Sequence, residues 1–215
     1  MLFKEYSINQ FIEELSSDDP SPGGGSTAAL VSALASSLNS MVYSLTVDKK
    51  SFDKLDNDKK EKMLFFQKQA YKFTEISQEF MEKDRQEFVE LMAAFKLSKE
   101  TEEEKITRNK KIKEHTIKAM NIPLNLARES LRFYDNIEFA IKFGNKNLIS
   151  DAGVAAILLN SAIESAIMNV KINLNSLRNE EFFYVIDKEC NEIIKESLNK
   201  KVKLTLEVEN VIYAN

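Results

Sequence analysis

The 215-residue chain contains no tryptophan, one cysteine, one histidine, three prolines and five glycines. Each scarcity excludes something. The lone Cys190 rules out internal disulfides and a thiolate cluster for a metal. His115, the lone histidine, is flanked by charged residues and reads as a surface group, which excludes histidine-based catalysis and zinc ligation. With so few glycines and prolines there are few points at which a helix must break, so an all-α fold is expected. An excess of one charge is also missing. The 30 basic and 34 acidic residues lie interspersed and give a net charge of −4, leaving no basic face for nucleic acid. No run of about 18 uncharged apolar residues occurs, and the opening MLFKEYSINQF lacks the apolar core of a secretion signal. Neither a membrane partner nor export is expected, and the expected location is cytoplasmic.

What is present is apolar material for a core, 43% of the chain, enough for one domain spanning 1–215. Ile8, Phe11, Ile12 and Leu15 fall at helical spacing and mark a short amphipathic helix. Two of the three prolines and three of the five glycines then crowd into PSPGGGS, residues 20–26. Such crowding means that the backbone comes very close to something there. Ser26 is placed to cap a helix running to about Leu45, and between Ser26 and Met41 this helix has no charge, so protein should cover both its faces. A long helix is expected over about 57–96. Its apolar stripe of Phe66, Ala70, Phe73, Phe80, Phe88, Leu91 and Phe95 is interrupted by Ser77 and Asp84, at positions where core residues belong.

SKETEEEKI, residues 98–106, reads as an acidic helix start capped by Ser98 or Thr101. That helix should run through His115 to Pro123, which kinks or ends it. Another covers about 124–143 and stops at Gly144 and Asn145. Ser150 or Asp151 then caps a long small-residue helix, the partner of the first uncharged one, so the expected architecture is a helical bundle with long central helices. Beyond Glu180 the chain is amphipathic and helical, although KVKLTLEVE also alternates as a strand would.

Three features carry chemistry. Gly23, Gly24, Gly25 and Ser26 form either a structural turn before a buried helix or a cradle for a ligand at the helix N-terminus. The pattern is neither GxxxxGK[ST] nor a GxGxxG after a strand. Asp84 is a carboxyl group on an apolar stripe, and removal from water raises its pKa toward the range that suits proton transfer. The competing reading is a structural aspartate bonded to a serine or to backbone on a neighbouring helix. Asn169 and Asn173, one turn apart in an apolar helix, form a polar rung or grip a heterocycle through amide hydrogen bonds. Asp151, at a helix start, reads first as a cap.

Two stretches, PSPGGGSTAALVSALASSLNSMVYSLT and GNKNLISDAGVAAILLNSAIESAIMNVKINL, together resemble signatures of the cyclodeaminase/cyclohydrolase family. That family comprises the C-terminal domain of formiminotransferase-cyclodeaminase and the stand-alone methenyltetrahydrofolate cyclohydrolases. DRQEFVELMAAFKL, with Arg108 and Pro123 after it, is similar to the family's D-x-x-x-F segment. Ser98 stands where the family often has proline, and Ile122 where it often has valine. The likeness spans about residues 5–180. It implies an all-helical subunit that dimerises through helices, a tetrahydrofolate derivative as substrate, no metal and no cofactor beyond that folate.

On this likeness Asp84 is the expected acid/base, with Asp151 as its alternate or as an anchor for the pterin amino groups. Gly23, Gly24, Gly25 and Ser26 would lie against the pterin or receive its carboxylate tail. Lys49, Lys50 and Arg108 are expected on the glutamate tail, and Asn145 and Asn169 complete the substrate-binding set. The expected activity is that of a formimidoyltetrahydrofolate cyclodeaminase, closing the 5-formimino compound to 5,10-methenyltetrahydrofolate with loss of ammonia. The cyclohydrolase, which differs by its leaving group, and a non-catalytic folate-binding or dimerisation module are the alternatives.

Overall fold

Local chemistry sets the starts of the two longest helices. The Asp56 side chain accepts from the Lys59 amide at 2.9 Å. Thr101 accepts from the Glu104 amide while the Glu104 carboxylate returns to the Thr101 amide, a reciprocal box that satisfies two free donors. The structure is a computed structural model describing residues 1–214. Its helices are α1 (Ile8–Leu15), α2 (Gly24–Ser44), the short α3 (Lys50–Asp53), α4 (Asn57–Phe95), α5 (Glu102–Phe143), α6 (Ile149–Asn175) and α7 (Phe183–Ile212). No strand occurs among the described residues, and KVKLTLEVE is helical. Leu204 and Val208, one turn apart, are its buried residues, while Val202 and Leu206 are exposed.

Helices α2 and α6 form the centre and run antiparallel. Gly24 at the start of α2 lies against Asn169 near the end of α6. At the other end, Asn145 bonds Thr46 and the Leu45 carbonyl. Buried Ala28, Ala29, Ala35, Ala152, Ala155 and Ala156 line these two helices and allow their close packing. Helices α4 and α5 pack against α2, and α5 and α7 against α6. Polar rungs cross the α2 packing: Ser32 bonds both Ser77 and Ser130, and Asn39 bonds Asn136. Ser77, the first interruption of the α4 stripe, is therefore a satisfied buried hydroxyl.

Three sequence expectations need correction. Ser26 does not cap α2: Gly23 is the N-cap residue, in extended backbone, and Ser26 lies inside the first turn. Neither Ser150 nor Asp151 caps α6, because the 3-10 turn Lys146–Leu148 runs directly into it with Leu148 at the cap position. Helix α5 does not end at Pro123 but continues as one 42-residue helix. The proline ring cannot donate to the carbonyl four residues earlier, that of Ala119. The Asn173 amide approaches that carbonyl instead, at 3.4 Å. By length and composition α6 would also suffice to cross a bilayer, although it is not free of charge; here it is a core helix with more than half of its apolar window buried.

Candidate active site

The close approach that the triple glycine implies is to a side chain. A Cβ on Gly25 would fall 2.0 Å from Asp84 Oδ1 and 2.5 Å from its Cγ. A Cβ on Gly24 would lie 3.2 Å from the Asn169 amide, and one on Gly23 would make only ordinary contact with the Pro20 carbonyl at 3.5 Å. None of the three has a positive φ. Gly25 is therefore required by space rather than by backbone conformation. The missing Cβ lets α4 deliver its carboxylate onto the first turn of α2.

There Asp84 accepts from Ser26 Oγ at 2.9 Å and from the Ser26 backbone amide. A carboxylate from α4 thus satisfies one of the free amides of the α2 terminus, the task assigned above to Ser26 itself. Two effects oppose each other at this group. Burial raises its pKa and the two Ser26 donors lower it; burial is the larger, and the carboxyl is held above its ordinary value of 3.8. Removing one donor should raise it further. In Ser26→Ala the acid limb of the pH–rate profile is expected to move to higher pH, measurable in kcat/KM between pH 4 and 9.

Asp84 faces a cavity of about 320 Å³ between the α2 terminus, α4, α5 and α6. Its apolar walls are Phe88, Leu91 and Met92 of α4 and Ile172 of α6; its polar groups are Asp84, Ser21, Asn169 and Asn173. Asn169 donates Nδ2 to the Ser165 carbonyl and Asn173 donates to the Asn169 carbonyl, so both amide oxygens are left as acceptors beside the cavity. Ala119, whose carbonyl Pro123 releases from the helical ladder, completes the α5 side. A flat ring with donor edges can be held between apolar walls and these acceptors, with one protonatable carboxyl at its side.

The predicted residues divide into two groups. Gly23, Gly24, Gly25, Asp84 and Asn169 line the cavity, and Ser26 stands directly behind Asp84. Asn145, Asp151, Lys49 and Lys50 lie at the opposite end of α2 and α6. Asp151 is in the first turn of α6, about 27 Å along the helix from Asn169 at ~1.5 Å per residue. Arg108 joins neither group: it donates to the Phe95 carbonyl at 3.2 Å, and its Nε is buried without a partner beside a separate cavity shared with Thr107 and Lys111. His115 is not the free surface group expected. Its Nδ1 lies 2.5 Å from Glu87 Oε1 in the α4–α5 seam, and both side chains are largely covered.

Sequence reading missed Ser21, Met92, Ala119 and Ile172 as wall residues, and took Phe88 as core. Phe88 could have been found, since it is one turn from Asp84 on the same face. Ile172 likewise follows Asn169 by three residues.

A half-buried carboxylate thus stands at a cleft between long helices, and comparison with known proteins makes this an enzyme of the folate-processing cyclohydrolase and cyclodeaminase class. The chain belongs to the formiminotransferase-cyclodeaminase family, whose model matches residues 7–192. It is 32% identical over 202 residues to a methenyltetrahydrofolate cyclohydrolase of Methylorubrum extorquens, covering 93% of this chain and 95% of that protein. It is 31% identical over 176 residues to the formimidoyltransferase-cyclodeaminase of Rattus norvegicus, covering 82% of this chain and 32% of that one, so it spans about a third of that relative. The crystal structure of a formiminotetrahydrofolate cyclodeaminase from Thermotoga maritima superposes with a TM-score of 0.78 at 25% identity, over 98% of both chains.

Proposed function

We propose that the chain is a cytoplasmic, homodimeric formimidoyltetrahydrofolate cyclodeaminase. The observation that carries this reading is the sheltered Asp84 carboxyl, poised over a cavity of pterin scale. N10 of 5-formiminotetrahydrofolate, whose formimino group enters protonated as the amidinium, attacks the formimino carbon and gives its proton to Asp84, leaving a tetrahedral carbon between N5 and N10 that bears an amino group. Asp84 returns the proton to the amino group, the carbon–nitrogen bond breaks, ammonia leaves and the 5,10-methenyl bridge remains. The carboxyl ends as it began, so one group serves as base and then acid. The Asn169 and Asn173 oxygens receive the ring's amino and amide donors while Phe88, Leu91 and Met92 flank its plane. Fixing the orientation of an intramolecular attack in this way can lower the barrier by several kcal/mol.

A second reading has its own support. The identity to the cyclohydrolase runs over 95% of that relative's length. In that reaction water attacks the methenyl carbon and one proton passes to solvent, the same carboxyl carries the remaining hydroxyl proton to N5, and N5 leaves, giving the 10-formyl compound. Incubation with each folate, followed by methenyl absorbance, separates the two. Absorbance should rise from 5-formiminotetrahydrofolate. A fall from the 5,10-methenyl compound beyond the spontaneous rate, with no rise from the formimino one, would instead assign the hydrolase, and silence with both would leave a non-catalytic folate binder.

A further inference from the structure

All three prolines of the chain bear on one cavity. Pro20 lines it, Pro22 stands between the lining residues Ser21 and Gly23, and Pro123 follows the lining residue Ala119 by one turn of α5. Pro123 is the exceptional one. It is buried inside a 42-residue helix, where proline is the least tolerated of residues. Its ring has no N–H to give and crowds the carbonyl four residues earlier, that of Ala119. The Asn173 amide reaches this carbonyl only at 3.4 Å, longer than an ordinary N–H···O bond, and makes its better bond at 2.9 Å to the Asn169 carbonyl. The Ala119 oxygen therefore keeps acceptor capacity where α5 meets the cavity.

We propose that Pro123 is a positioning residue for ligand recognition: by withholding an amide it leaves the Ala119 carbonyl free to read, with the Asn169 and Asn173 side-chain oxygens, a ring edge that carries N–H donors. The polar groups of the α5 and α6 walls are of one kind. Both asparagines spend Nδ2 on backbone carbonyls at 2.9 Å, so their oxygens are left as acceptors, and the Ala119 carbonyl is a third. The donors of the cavity, Ser21 and the first amides of α2, belong to a different segment. An acceptor-only wall discriminates between rings of equal size. A 2-amino-4-oxopteridine offers it an amino group, whereas the 2,4-dioxo ring places a carbonyl there and sets lone pair against lone pair. A proline kept only to fill the α5 seam would affect stability without affecting this choice.

The inference rests on the folate reading for the identity of the ring, and the test separates the two. Wild type and Pro123→Ala are titrated with pterin and with lumazine, its 2-oxo counterpart, each followed by its own fluorescence, and 5-formyltetrahydrofolate serves as the displacing ligand. Wild type should bind pterin at least about tenfold more tightly than lumazine, because the exchange removes a hydrogen bond and leaves a wall acceptor facing a carbonyl. In Pro123→Ala the restored amide closes onto the Ala119 oxygen. Affinity for pterin should then fall about five- to tenfold while that for lumazine hardly changes, so the preference narrows by the same factor. Pro123→Ser restores the same amide with a different side chain and should behave alike. With 5-formiminotetrahydrofolate, KM should rise by this factor and kcat should hold, since Asp84 is untouched. Wild type that binds pterin while both variants keep the full preference overturns the inference and leaves the folate reading standing. Loss of the fold in both variants would make Pro123 structural and overturn it as well. Wild type that binds neither ring nor 5-formyltetrahydrofolate removes the folate reading and the inference with it.

Discussion

Asp84→Asn is expected to lower kcat about 10²- to 10⁴-fold, the usual contribution of a positioned acid/base, with folate affinity nearly unchanged. At ~1.36 kcal/mol per tenfold this corresponds to about 3–5 kcal/mol of lost transition-state stabilisation. Asparagine keeps the shape and can still accept from Ser26 Oγ and the Ser26 amide, so α2 keeps its terminal partner. What disappears is the proton. The same substitution should raise stability at neutral pH. The folded-state pKa of Asp84 is raised, so this group favours folding fully below the unfolded value near 3.8, and that benefit is lost as pH rises through the folded value. Above the folded value the wild-type protein therefore carries a buried charge that the variant lacks. Thermal melts should show the variant more stable at pH 7, with the difference closing toward pH 4. An inactive, stabilised variant separates a catalytic carboxyl from a purely structural cap, whose loss would destabilise. Unchanged turnover would end the role proposed for Asp84.

The second large effect is expected at Gly25. In an exposed helical position Gly→Ala stabilises by up to about 1 kcal/mol. Here the new methyl would sit 2.0 Å from Asp84 Oδ1, so the carboxylate must leave the α2 terminus or the helices must separate. Gly25→Ala is predicted to lose activity to nearly the extent of Asp84→Asn. Overpacking of about 1–3 kcal/mol should also outweigh the gain in propensity and lower Tm. Gly23→Ala is the internal control. Its backbone is extended and its nearest contact is 3.5 Å, so Asp84 keeps its place and activity should fall far less than in Gly25→Ala. Equal effects at the two glycines would mean that the turn matters as a whole, and that the proximity of Gly25 to Asp84 does not.

Most of the helical framework could be read from the chain, because its signals are local. The extent of α4 follows from the Asp56 cap and the apolar stripe, and the break of that stripe at Asp84 already marked the carboxyl that lines the cavity. The uncharged α2 and the nearly uncharged α6 likewise announced central helices. What could not be read depends on distant partners. Nothing near Ser26 says that a carboxylate 58 positions later will occupy the α2 terminus, so a cap by Ser26 was the natural expectation. The continuity of α5 through Pro123 is similar: a local rule predicts a break, whereas packing against α2, α4 and α6 holds the helix together and an Asn173 amide approaches the released carbonyl. His115 was misplaced for the same reason, since its partner Glu87 belongs to another helix. The division of the predicted site residues between two ends of the bundle also escaped the sequence, because antiparallel packing of α2 and α6 separates motifs that a linear reading treats as one set.

The proposed chemistry turns on the protonation of one side chain. Infrared difference spectroscopy of the free enzyme, titrated from pH 3 to 8 with Asp84→Asn subtracted, reads the carboxyl of Asp84 directly. The predicted result is a carboxylic acid band that persists above the ordinary aspartate range and disappears over the interval in which kcat/KM rises. A carboxyl already ionised at or below pH 3.8, or an acid limb of kcat/KM that remains unmoved in Asp84→Asn, would contradict it.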